Sequence, residues 1–419
     1  MSSQQDSAEQ VIVIGGGIIG VMCAWYLTET GRSVTIVERG QLGQGCSHGN
    51  CGYVSPSHIL PLTTPGAIGM ALRSMLSNKS PFYIKPRWSP AMWSWLWRFA
   101  RRCNRVDMLR AADTLHAMLQ SSKTLYRDLV NQQKLDCEWE ENGILFVFQS
   151  RDKFEHYAET DKLLTDRYGV AAKPIDGAHL EQMEPALVPG LGGAWLYECD
   201  AHLRPDSLLR EMRRLLVQRG VRIVEEAEVI GFEARGRRAD AVRTNHANLQ
   251  AHQFVVATGA WTPFLNRHLG CRIPIQPGKG YSLTMPRPKL CPHHSMIFEE
   301  HRVAITPLRS KFRIGSTMEF AGYDTTINPR RLEILKDAAR LYLREPNLES
   351  VEETWYGWRP MTTDGLPYID RTPAFDNVWV AAGHNMLGLS LATVTGKLIA
   401  EFLTSRPPHI DTTPLRLPR

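Results

Sequence analysis

The sequence predicts an α/β fold built round a parallel sheet, and three neighbouring observations predict it. The run VIVI, residues 11–14, is short and β-branched, as a buried parallel strand requires. It leads straight into Gly15-x-Gly17-x-x-Gly20, and IIGVMCAWYLTET continues as a helix that Gly31 can cap. SVTIVE then reads as a second strand, ending at Glu38. With 419 residues, 43% hydrophobic and 22% charged, the chain can form a large core or two domains.

Strand, glycines, helix, strand and acid in this order form a dinucleotide cradle, which a glycine pattern alone would not establish. Gly15 makes the tight turn, Gly17 lets backbone approach a pyrophosphate, and Gly20 lets helix and strand pack closely. The helix start at Ile18 and Ile19 turns free N–H groups and a partial positive charge toward the phosphates. Glu38 is placed to bind ribose hydroxyls. The competing reading is a glycine-rich turn with no ligand.

The motif does not choose between NAD and FAD. The stretch RGQLGQGCSHGNCGYVSPS, residues 39–57, shows no helical periodicity and is rich in glycine and small polar residues. Arg39, Gly45, Cys46, Ser47, Asn50 and Gly52 can therefore run far along a ligand, which suits a cofactor longer than the near half of NAD. AEVIGFEARG (227–236, with Val229) and FVVATGAWTPFL (254–265, with Thr258, Gly259 and Trp261) read as further strands of the same sheet. NVWVAAGHNMLGLSLATVTGKLIAEFL, 377–403, reads as strand, glycine turn and long helix. Its turn, with Gly383, His384, Gly388 and Leu389, offers N–H groups at a helix N-terminus, which suits the N1–C2=O edge of a flavin.

Between these elements lies WYGWRPMTTDGLPYID, residues 355–370. Arg359 stands between Trp358 and Pro360, in a rigid setting. Its planar fork of donors matches a carboxylate.

The stretches VIVIGGGIIG, VERG, GCSHGNCGYVSP, ENGILFVF, MEPAL, KGYSLT, WRPMTTDGLP and AAGHNMLG run in order from residue 11 to about 400. Together they resemble the D-amino-acid oxidase superfamily of FAD enzymes, and most of all the bacterial D-amino-acid dehydrogenases, the hydroxy-D-proline branch included. The resemblance implies two domains. A Rossmann-like FAD-binding domain takes residues near 9–60, 200–270 and 350–405. A mixed-sheet substrate domain takes about 61–199 and 271–349, and 406–419 is an extended tail. The resemblance also implies oxidative deamination of a small D-amino or imino acid, with Arg359 gripping the α-carboxylate so that hydride passes from Cα to flavin N5. Tyr281, in KGYSLT, becomes a second carboxylate contact or a packed sheet tyrosine. His48 becomes a contact to flavin or substrate. His48 and His301 replace less polar residues expected of alanine-preferring relatives, which makes D-proline or hydroxy-D-proline a substrate candidate. The rivals are a glycine- or sarcosine-type amine oxidase and a non-catalytic flavoprotein module.

Composition excludes other classes. Lys and Arg number 49 against 43 acidic residues, a mild excess without a block of like charge, so no nucleic-acid partner is expected. The eight cysteines form no CxxC pair, and His293 and His294 lack matching ligands, so no metal is expected. The uncharged stretch 11–27 has an acidic, polar flank and is broken by glycines, which argues against a signal peptide or membrane span and for the cytoplasm. In RWSPAMWSWLWRFARRCNR, 87–105, Trp93, Leu96, Trp97 and Ala100 share one helical face beside Arg98, Arg101, Arg102 and Arg105. That helix packs on the core in the favoured reading. In the other it touches a membrane surface, as a dehydrogenase delivering electrons to a membrane quinone would.

Overall fold

The strand Gln10–Ile14 lies inside a six-stranded sheet in the computed structural model, which describes residues 9–69, 80 and 82–417. Its neighbours are Ser33–Val37 and Gln253–Val256, both parallel to it. Arg222–Val224 extends one side, and Val378–Ala382 and then the antiparallel Tyr368–Arg371 extend the other. Helices Ile18–Glu29 and Ala392–Leu403 pack together over this sheet. A Cβ at Gly396 would lie 2.4 Å from the Met22 carbonyl oxygen, so only glycine permits that approach.

A nine-stranded mixed sheet forms the second layer system. At its edge Glu353–Met361 pairs with Gln276–Pro286, which pairs in turn with Lys311–Phe320. The order continues through Val303–Pro307, Ser295–Phe298, Ile144–Phe148, Gly193–Tyr197 and Lys173–Asp176. The molecule is thus an α/β protein with a Rossmann-like sheet and a mixed sheet.

Three sequence expectations differ from this arrangement. Val229–Arg235 is not in the six-stranded sheet; it hairpins with Arg238–Thr244 in a separate three-stranded sheet, because that local antiparallel partner is near in sequence. Glu353–Met361, counted with the cofactor segments from residue 350, pairs in the mixed sheet. Helix Arg105–Gln133, counted with the substrate segments, packs on the cofactor side. There Ser122 and Thr393 hydroxyls lie 2.6 Å apart, and Tyr126 donates to the Leu389 carbonyl at 2.8 Å. The end of the chain is anchored: Leu415 and Leu417 are buried, and Leu417 N–H donates to Asp370.

The tryptophan segment forms helix Pro90–Arg102, started by Ser89, whose hydroxyl accepts from Met92 N–H. Its packed face is Met92, Trp95 and Phe99, with Trp95 donating to the Met361 carbonyl at 3.0 Å. Trp93 and Trp97 are instead 56% and 60% exposed. His293 and His294 are pinned rather than free, since both backbone N–H groups donate to the buried Glu184 carboxylate at 2.9 Å. Among the described residues no helix is long and apolar enough to cross a membrane.

Candidate active site

The glycine turn is closed by hydrogen bonds from both flanking strands. Gly15 N–H donates to the Val37 carbonyl at 2.8 Å, and Gly15 has φ +108°. A Cβ there would lie 2.5 Å from the Ala257 carbonyl oxygen, and one at Gly20 would lie 1.9 Å from the Gly15 carbonyl oxygen. By contrast, a Cβ at Gly17 would meet only Ser47 Oγ, at 3.5 Å. Gly15 and Gly20 therefore shape the turn, while Gly17 borders open space ahead of the helix N-terminus. These features fit a dinucleotide pyrophosphate.

The loop after the second strand is held over this space. Ser47 Oγ accepts from Ile18 N–H at 3.0 Å, and Asn50 bridges Ser47 carbonyl and Gly52 N–H. Gly52 has φ +78°, and a Cβ there would lie 1.9 Å from the Leu203 carbonyl oxygen. Glu38 accepts from Gly16 N–H at 2.6 Å and Gly40 N–H at 2.9 Å, so its carboxylate also fastens the turn. Each oxygen keeps capacity for a further donor such as a ribose hydroxyl. The Arg39 guanidinium lies 3.7 Å above the Trp261 ring. At the far turn, His384 is buried and bonded to Thr395 Oγ1 at 3.0 Å, and burial pushes its pKa down to about 3, leaving the ring neutral.

All residues expected to touch the cofactor, except Gly20 and Gly383, line one cavity of about 1810 Å³. Gly20 lies beneath the turn. Gly383 supplies a φ of +86° at the strand end.

Arg359 enters the same cavity from the edge strand of the mixed sheet. Its side chain crosses the neighbouring strand at Gly280, where a Cβ would lie 2.3 Å from Nη1. Nη1 donates to the Thr317 carbonyl at 2.7 Å. Ser316 and Thr317 have φ of 128° and 53°, a bulge that turns this carbonyl toward the guanidinium. Among the described residues no carboxylate pairs with Arg359. The titratable groups that act on it are the thiols of Cys46 and Cys51, which burial pushes up to about 11 and so keeps neutral. An unpaired guanidinium facing a cavity is a receptor for an anion.

Gly280 was not singled out by the sequence reading, although an isolated glycine inside a strand signals close approach of another group. Gly280→Ala displaces the flexible guanidinium rather than backbone. It should lower turnover nearly as Arg359→Ala does and shift Tm by only a few degrees, measured by steady-state kinetics and thermal melting.

Of the two readings of Tyr281 the packed sheet tyrosine holds, and two further expectations are not met in the cavity. Tyr281 borders it, but its hydroxyl donates to buried Glu319 and its ring packs among Leu283, Phe298 and Tyr342. Successive residues of a strand face opposite ways, and Gly280 holds the cavity side. Tyr281→Phe leaves the Glu319 carboxylate short of a donor and should cost about 1–3 kcal/mol of stability, read by denaturant unfolding, with little change in substrate KM. His48 turns away from the cavity: its Nε2 lies 2.7 Å from Glu353 Oε1. His301 packs on Tyr342, with Nδ1 3.2 Å from the phenol oxygen. The polar substitutions that suggested a hydroxylated ring therefore do not line the cavity.

A model of the FAD dependent oxidoreductase family matches residues 10–402. The chain belongs to this family. This FAD-dependent oxidoreductase is 31% identical to the D-amino acid dehydrogenase of Granulibacter bethesdensis over 98% of the chain and 99% of that protein. It is 33% identical to the D-amino acid dehydrogenase of Methylobacterium radiotolerans, with the same coverages. Among solved structures, glycine oxidase from Geobacillus kaustophilus superposes with a TM-score of 0.79 at 21% identity, covering 98% of this chain and 99% of that one. L-proline dehydrogenase from P. horikoshii gives 0.71 at 20% identity, covering 95% and 94%. At these identities the superpositions establish the fold. The glycine turn, the Ile18 helix start, Glu38 and the 39–57 loop are the residues that would hold the family's FAD.

Proposed function

We propose that the protein oxidises a D-amino acid at Cα and passes the electrons to an acceptor other than oxygen. The observation that carries this reading is the Arg359 guanidinium, which lines the cofactor cavity without a carboxylate partner among the described residues, in a chain whose full-length relatives bear the dehydrogenase name. FAD bound in the cradle would supply the hydride acceptor. The chain's own residues position the substrate. Arg359 takes the α-carboxylate with two donors, and the Thr317 carbonyl holds the guanidinium so that the pair cannot swing. Fixing position and rotation together accounts for much of the rate in such a reaction. A substrate arriving with its amine neutral needs no protein base at Cα. A panel of D-amino acids assayed by dye reduction, with peroxide measured in parallel, tests this reading. No turnover with any of them rejects it, and stoichiometric peroxide makes the protein an oxidase.

The acceptor is best reached at a membrane surface. Trp88, Trp93 and Trp97 are exposed beside Arg98, Arg101 and Arg102, and Trp93 and Trp97 also border the cavity mouth. Amphipathic aromatics with basic neighbours suit an anionic headgroup layer. The protein should sediment with vesicles containing anionic phospholipid. Replacing Trp93 and Trp97 by serine should abolish this and leave dye reduction unchanged.

A further inference from the structure

The cofactor cavity is also bordered by residues outside the nucleotide cradle, which form a lobe of it. Its walls come from the segment 53–62, from the mixed sheet through Phe146 and Phe148 of Ile144–Phe148 and Ile297, and from Tyr157 between two short helices. The segment is fastened on both sides of the lobe. Ser55 N–H donates to Ser390 Oγ at 3.3 Å, and Ser390 Oγ donates to the Tyr53 carbonyl at 2.8 Å. Ser57 donates to the buried Asp200 carboxylate through N–H at 2.9 Å and Oγ at 2.6 Å.

His58 follows directly and lines the lobe with its ring 5.5 Å from Phe146. Nδ1 is buried without a partner, and among the described residues neither ring nitrogen is hydrogen-bonded. Burial, reinforced by Arg302, pushes its pKa down to about 4, so at neutral pH the ring carries one donor and one acceptor and no charge. Several polar neighbours are already engaged. Glu299 pairs with Arg302, although its Oε2 is also buried without a partner. Tyr157 and Tyr197 hydroxyls lie 3.2 Å apart. Buried polar groups normally find partners, so an idle imidazole in an aromatic lobe is what a ligand's polar group would complete.

We infer that this lobe receives the substrate's side chain and that His58 selects for a neutral hydrogen-bonding group on it, a hydroxyl or an amide. The inference rests on the D-amino-acid reading above. With the carboxylate on Arg359, the side chain needs a site outside the nucleotide groove, and the lobe has apolar walls with one neutral polar end. A charged side chain would be desolvated among these aromatic walls, which costs it more than a neutral hydroxyl or amide.

Matched pairs test this on the holoenzyme: D-threonine against D-valine, and D-glutamine against D-methionine. The parent should prefer the polar member of at least one pair by about tenfold or more in kcat/KM. His58→Leu should bring that ratio to about one, while His58→Gln, which keeps a neutral hydrogen-bonding end, retains it. Calorimetry with α-methylserine and isovaline, which have no α-hydrogen and cannot be oxidised, gives a readout independent of turnover. His58→Leu should weaken only the first. A parent without preference, or a His58→Leu enzyme that keeps the parent's ratios and affinities, overturns the inference. Failure of every D-amino acid to turn over strikes the reaction itself, and the calorimetric arm still decides the lobe.

Discussion

Arg359→Ala lowers kcat/KM for the protein's D-amino-acid substrate by roughly thirty-fold to several thousand-fold and leaves FAD bound. Removing one partner of a buried charged pair costs about 2–5 kcal/mol, and each 1.4 kcal/mol is about tenfold. The parent guanidinium already stands in the interior without a carboxylate, so its truncation strands no partner but the Thr317 carbonyl. The loss therefore falls on the substrate. Both KM and kcat should suffer, because a carboxylate held by one weak contact no longer fixes rotation. Arg359→Lys should lie between, since an ammonium supplies charge without the planar fork. Steady-state kinetics and the visible flavin spectrum check this together. An alanine enzyme with parent kinetics places the anion site elsewhere.

Gly20→Ala removes the holoenzyme. Its Cβ would stand 1.9 Å from the Gly15 carbonyl oxygen, a backbone atom in the turn that the Gly15 N–H to Val37 carbonyl bond ties to the sheet. No side chain can yield, so helix and turn must separate. Overpacking of this kind costs about 1–3 kcal/mol or more, and it falls where N–H groups converge on the phosphates. The expected product is colourless and melts lower than the parent. Added FAD raises the parent's Tm through linkage and does nothing for the variant. A yellow Gly20→Ala protein with an FAD-dependent Tm would mean that the turn can open without cost.

The two ends of the site differ in how readable they were, for a physical reason. The cradle is local: two strands, one turn and one helix within residues 10–38, each demanding a residue type that sequence displays. Arg359 stood out by its setting between Trp358 and Pro360, and it lines the cavity. Tyr281 and His48 were not, because their partners are remote. Glu319 is 38 residues from Tyr281, and Glu353 is 305 from His48. KGYSLT does form a strand, but which of Gly280 and Tyr281 faces the cavity is decided by its pairing with Tyr356 and Gly357. Likewise a basic, aromatic helix at 90–102 follows from composition, while the choice of Met92 and Trp95 as its packed face depends on Met361 and Phe320 across the fold.

The six-stranded sheet gathers strands from both ends of the chain, with Val378–Ala382 one strand removed from Gln10–Ile14. A ribosome adding about 5–20 residues per second leaves the opening strand on the order of 12 to 50 s without its second neighbour, Gln253–Val256. Through that interval VIVI is an unprotected apolar ribbon, a strong attractant for another nascent chain or for a holding chaperone. Yield in a heterologous host should accordingly respond to growth temperature and chaperone supply more than to any single surface substitution.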